Sequence, residues 1–186
     1  MRRLIVSFGL VLFFGQLFAQ DNLGQFSNAE LFITRPNRNY IESFEIYKPG
    51  KQFQNPYRRL DFIFMKYKDL DNDSIIYGIR LVCLTDYLSK DTKTYNSILD
   101  MDEIDSLIKW IKFSKEKASE LVEYQTISHV TKKGLLMFGI FNEKGKLYFR
   151  LTNNKYDFGT AIFFDLSVLD NFLAFLEEVK TKQISK

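Results

Sequence analysis

The sequence predicts an α+β fold: two ββββα units, mainly antiparallel sheets each closed by one amphipathic helix. Three observations carry this. Short β-rich runs recur between clusters of turn-forming residues. Ile104, Leu107, Ile108 and Ile111 stand at i, i+3, i+4 and i+7, the spacing of one helix face. The same stripe returns 65 residues later, where Leu169, Phe172, Leu173 and Leu176 match those four positions, Asp100 matches Asp165 and Asp105 matches Asp170.

The N-terminus comes first in the element order. Arg2 and Arg3 precede an apolar run from Leu4 to Phe14, followed by Gly15 to Gln20 with a small residue at Ala19. A charged start, an apolar middle and a small residue at the cut are the three parts of a signal peptide. The run is about half the roughly 20 residues that a spanning helix needs. Cleavage rather than anchoring is therefore expected, with residues 1–19 as signal and export to the periplasm, cell surface or medium. No cysteine follows the cut to carry a lipid. Residues 20–56 read as a lead-in with one short strand, residues 57–120 as the first unit and 121–186 as the second, together one compact domain.

Asp21 to Asn39 is polar and is expected to have little order. Phe44 to Tyr47 reads as a short strand stopped by Lys48-Pro49-Gly50, since proline fixes a turn's first corner and glycine accepts the second. Tyr57 to Tyr67 and Ile75 to Leu84 are strands joined at Asp69 to Ser74, and a loop from Asp86 to Thr92 leads to a strand from Thr94 to Leu99. Asp100 with Glu103 has capping-box spacing and predicts a helix running to about Ala118. Leu121–Val130, Leu135–Phe141, Lys146–Leu151 and Thr160–Phe164 follow as strands, with a turn at Lys132-Lys133-Gly134 and another that puts Gly145 in the left-handed region. Asp165 is expected to cap the closing helix.

Composition limits the functions. Nearly half of the residues are apolar and 19 are Phe, which suits a packed globular body. The formal charge of +3 includes Arg2 and Arg3, so a processed chain is close to neutral and offers little to a polyanion. Cys83, the single cysteine, lies in an apolar strand and reads as a buried thiol; pairing with a partner chain is the alternative. His129 is the sole histidine, which excludes a multi-histidine metal site, and a Cys83 and His129 nucleophile pair is the weakest of the chemical readings.

Two acidic groups invite chemistry. Asp69, Asp71 and Asp73 have the alternate spacing that opens a calcium loop, but Ser74 replaces the turn glycine and Arg80 the closing glutamate, so a hairpin tip is expected. Asp100, Asp102, Glu103 and Asp105 crowd one helix start, where capping and the helix dipole favour acids without further function; Asp105 is placed to pair with Lys109. Tyr40, Tyr47, Phe53, Tyr57 and Tyr95, with Asn39, Asn55 and Asn96 nearby, could stack on and bond to sugars.

The layout of strands then helix, used twice over Tyr57 to Lys182, resembles the whirly and Pur-alpha class of single-stranded nucleic-acid-binding folds. That resemblance implies a basic and aromatic sheet face, for which Glu143-Lys144-Gly145-Lys146 with Tyr148, and Arg58, Arg59, Lys66, Arg80 and Arg150 among Phe62, Phe64, Tyr77 and Phe149, are the nearest match. Phe44 to Gly50, Leu99 to Asp105 and Tyr124 to Gly134 are also similar to an uncharacterised family of small secreted proteins of Bacteroidota, which implies no activity. The leading expectation is a secreted non-catalytic binding module for a protein, peptide or glycan. The alternatives are a small secreted hydrolase using Asp102 or Asp105 and a single-stranded nucleic-acid binder. No catalytic, cofactor or metal residue is assigned, no cofactor is expected, and no membrane span remains after signal removal.

Overall fold

The computed structural model describes residues 26–47, 58–86 and 90–184. The signal segment, the Lys48-Pro49-Gly50 turn, and Phe53, Asn55 and Tyr57 lie outside them. Within them are helix α1 (Asn28–Ile33), strands β1 (Tyr40–Tyr47), β2 (Arg58–Asp69), β3 (Ile75–Thr85) and β4 (Lys93–Asp100), and helix α2 (Ile104–Lys117). Strands β5 (Thr126–Val130), β6 (Met137–Glu143), β7 (Lys146–Thr152) and β8 (Ala161–Asp165) and helix α3 (Val168–Ile184) complete the fold. β1 to β4 form one antiparallel sheet in sequence order and β5 to β8 a second. The fold is therefore α+β, two four-strand sheets each followed by a helix.

The two sheets share a register. Ile79 lies between Phe64 and Leu99 in the first, and Phe149 between Ile140 and Phe164 in the second. All six side chains enter one continuous core with the helix stripes Ile104, Leu107, Ile111 and Leu169, Phe172, Leu176. Period-2 alternation then sends Arg80 and Arg150, one residue on, to the opposite outer faces. Phe62, Phe64, Tyr77 and Phe149 pack into or against the core, so these rings and Arg80 and Arg150 do not share a face.

The helices cross between units. Phe175 of α3 packs on Tyr47 and Phe62 of the first sheet, at ring separations of 4.4 and 5.3 Å. In the matching exchange, Trp110 of α2 packs on His129 and Phe138 of the second, at 5.8 and 6.5 Å. Charge pairs on the paired helices follow the same two-fold relation: Lys180 meets Asp105 at 2.5 Å, and Lys115 meets Asp170. Lys112 meets Glu177 at 2.9 Å, two positions 65 residues apart and so on the axis itself. Asp105 thus pairs across the helices rather than with Lys109.

Several local expectations change. The lead-in contains α1, where Ser27 and Glu30 form a reciprocal capping box. Ala29 and Phe32 of α1 bury against Met65, Tyr67 and Ile98 on the outer face of the first sheet. Gly78 makes this approach possible, since a Cβ there would lie 2.8 Å from Ile98 Cγ2 and 3.5 Å from Ala29 Cβ. β1 begins at Tyr40, earlier than the short run expected, and supplies the fourth strand of its sheet. β5 begins only at Thr126, because Tyr124 turns at φ 63° and Asn142 binds the chain there: its amide donates to Leu121 O at 2.7 Å. Asp165 ends β8 and pairs with Lys146 at 2.9 Å, and α3 starts three residues later.

Candidate functional site

A cleft of about 390 Å³ opens where the edge strand β4 of the first unit meets the β7–β8 loop of the second. β4 contributes Thr94, Tyr95, Asn96 and Ser97; the loop contributes Asn153, Asn154, Asp157 and Thr160; Phe26, Glu30 and Leu135 complete the lining. The size falls in the range of small-molecule sites, about 300–1,000 Å³.

The loop is shaped by its own polar side chains. Asn154 Oδ1 accepts from Tyr156 N at 3.0 Å, Asp157 Oδ1 from Gly159 N at 2.9 Å, and Thr160 Oγ1 from Asn154 N at 3.1 Å. These are the short-range bonds by which Asn, Asp and Thr stabilise turns. Ser97 Oγ donates to Asn153 O at 3.1 Å and so ties the two units at the cleft floor. Asn153 is only 4% exposed, and neither Nδ2 nor Oδ1 has a hydrogen-bond partner among the described residues. Leaving a buried polar group unpartnered costs about 1–3 kcal/mol, so this amide is a locally expensive feature of the cleft floor. The Asn96 side chain, Asn154 Nδ2 and the Tyr95 hydroxyl are also uncommitted within the described residues. Among the described residues no lysine or arginine lines the cleft, and its charges are the carboxylates of Glu30 and Asp157.

A second groove, of about 560 Å³, lies beside α1 and brings Arg35, Arg38, Asp100 and Asp102 together. Its charged groups are largely engaged. Asp100 accepts from Asn28 N at 2.6 Å and from Ala29 N at 3.2 Å, capping α1 rather than α2. Asp102 pairs with Lys133 at 3.3 Å, and Arg38 pairs with Asp69 at 3.2 Å while lying 4.4 Å over the Phe32 ring. Glu103, expected to complete a box with Asp100, instead accepts from Lys132 N at 3.0 Å and Lys133 N at 2.8 Å. Burial raises the pKa of both Asp100 and Glu103, against the lowering effect of these N–H bonds.

The remaining candidates separate in space. Asp69, Asp71 and Asp73 form a hairpin tip in which Asp69 Oδ1 accepts from Asp71 N and Asp73 pairs with Lys68, and no group of three or more potential metal ligands occurs among the described residues. Cys83 is in the core with its thiol pushed up to about 11 by burial, the state of an inert hydrophobe. His129 lies on edge strand β5 with its side chain against Trp110 and Phe138, its pKa lowered by burial. Of the aromatics, Tyr40 packs edge-on against Phe32 and Tyr67, and Tyr47 packs on Phe175; Tyr95, with Asn96, reaches the cleft. The outer face of the second sheet carries Phe141, Tyr148 and Phe163 around a small hollow of about 160 Å³, with Lys146 Nζ 4.9 Å from the Tyr148 ring.

Sequence reasoning found Tyr95 and Asn96 but missed the loop side of the cleft. The signal was present as Asn153-Asn154 followed by Asp157, Gly159 and Thr160, a density of turn formers in excess of what a plain connection needs. Comparison of the chain with protein-family models, curated proteins and solved structures gives no match in any of the three.

Proposed function

We propose that the chain is an exported, non-catalytic binding module that takes a protein, peptide or glycan ligand in the cleft beside β4. The observation that carries this reading is the cleft of about 390 Å³ itself, where the Asn96 side chain, Asn154 Nδ2 and the Tyr95 hydroxyl have no partner among the described residues. Export rests on the Arg2-Arg3 start, the apolar run to Phe14 and Ala19. The described residues contain no helix long and apolar enough to cross a membrane.

The hydrolase alternative would draw on Asp102 or Asp105, with Asp100 the other acid of the α1 groove. Both oxygens of Asp100 are spent on backbone N–H groups, and Asp102 and Asp105 each hold a lysine, so binding has more support than carboxylate catalysis. Nucleic-acid recognition has less, since Arg80 pairs with Glu42 and Arg59 with Asp61.

A thermal-shift screen of the purified protein against neutral glycans, peptides and single-stranded oligonucleotides tests the proposal. A ligand at 100 times its dissociation constant stabilises the native state by about 2.7 kcal/mol. The expected result is a raised melting temperature with a glycan or a peptide that is lost in Asn96→Ala. A shift with oligonucleotides alone, or a shift that survives Asn96→Ala and disappears in Asp102→Asn, would overturn it.

A further inference from the structure

We infer that the ligand of this cleft is a neutral saccharide, an inference that rests on the binding reading above and names its chemistry. A sugar presents hydroxyls that both donate and accept, on rings whose C–H faces are apolar. A matching site needs planar groups offering donors and acceptors, a few hydroxyls and an aromatic or aliphatic wall. Side-chain amides and carboxylates supply the first, because an amide carries two donors beside an acceptor and a carboxylate accepts on two oxygens.

The cleft holds this set. Asn96 and Asn154 present amide donors without partners among the described residues, and Asp157 presents a carboxylate of which Oδ1 alone is engaged, by Gly159 N. Thr94 and Tyr95 add hydroxyls, and Phe26, 46% exposed, stands at the cleft with its ring open to solvent. Asn153, 4% exposed, forms part of the lining with its amide buried.

Charge decides against other small ligands. Among the described residues a phosphate, sulfate or uronate would meet two carboxylates and no cation, whereas anion sites pair the charge with arginine, lysine or converging N–H groups. An extended peptide is read chiefly by main-chain bonds along a strand edge. Here the groups that line the hollow are mostly side-chain amides, hydroxyls and carboxylates, and Ser97 Oγ, bonded to Asn153 O, ties the β7–β8 loop to the β4 edge. Neutral polyhydroxylated rings are the class that uses what remains.

The test is titration calorimetry of the purified protein with neutral gluco-, manno- and galacto-oligosaccharides, with sulfated oligosaccharides of the same length, and with a mixed peptide library. Asn96 is exposed and its side chain has no bond to the described residues, so Asn96→Ala is the test variant, and Phe163→Ser, on the outer face of the second sheet, is the control. The expected result is binding of a neutral oligosaccharide, weakened about tenfold or more by Asn96→Ala and unchanged by Phe163→Ser; tenfold corresponds to ~1.4 kcal/mol. Peptide binding that Asn96→Ala removes would overturn the saccharide assignment and leave the cleft a binding site. Preference for the sulfated series would also overturn it. No binding by any probe would overturn the saccharide assignment and remove glycans and peptides as ligands of the cleft.

Discussion

Asp100 and Glu103 show how far a carboxylate's work can lie from its position in the chain. They sit at capping-box spacing ahead of α2, yet each reaches over a fold-length separation: Asp100 to the first N–H groups of α1, Glu103 to the Lys132-Lys133 turn. The spacing rule is local, and it was the distant backbone donors, invisible in any local window, that won both acids. The true box, Ser27 with Glu30, was legible in the letters but lay in a segment whose polarity masked it. Because burial raises both pKa values, the folded state holds these protons more tightly than the unfolded one, and stability contributed by the groups is full at low pH and falls as pH rises through the raised values. Urea titrations of wild type and Glu103→Gln across pH 4 to 7 should therefore show the wild type losing ground to the variant as pH rises, over a window set by that upward shift. A gap that widens in favour of wild type with rising pH would mean that the N–H bonds outweigh burial.

At the scale of elements, α1 marks the main difference between two otherwise matched units. Gly78 leaves room for Ala29 on the outer face of the first sheet, whereas the register puts Tyr148 at the corresponding place in the second, where no helix of the described residues covers it. Gly78→Ala should force Ile98 Cγ2 from a 2.8 Å clash and cost about 1–3 kcal/mol, the usual range for overpacking. Chemical denaturation gives the loss, and hydrogen exchange should show it concentrated in α1; a neutral substitution would mean that α1 docks loosely. The stripes of α2 and α3 were legible because each repeats apolar residues at i, i+3, i+4 and i+7, over about two turns. α1 is a six-residue helix, too short for a period to declare itself, and it holds through Phe32, Ala29 and the Asp100 cap. The cleft was half legible for a related reason: Tyr95 and Asn96 stand out in a strand, but Asn153 gains its meaning only when the loop is laid beside β4.

The whole molecule is one core with two contributors. The 65-residue offset made the repetition readable, but not that Phe175 would serve the first sheet and Trp110 the second, because crossing depends on how two amphipathic faces meet rather than on either face alone. Interlocked in this way, the units should melt together: calorimetry is expected to give one transition whose van't Hoff and calorimetric enthalpies agree. Two resolved transitions would show that the shared core does not couple them. The axis between the helices carries one more consequence. Two identical copies of a single unit, meeting about that axis, would set a residue against its own twin, so a charge there would face its like. Joined in one chain, the two sides are free to differ, and the place where symmetry would have imposed repulsion holds Lys112 against Glu177 instead.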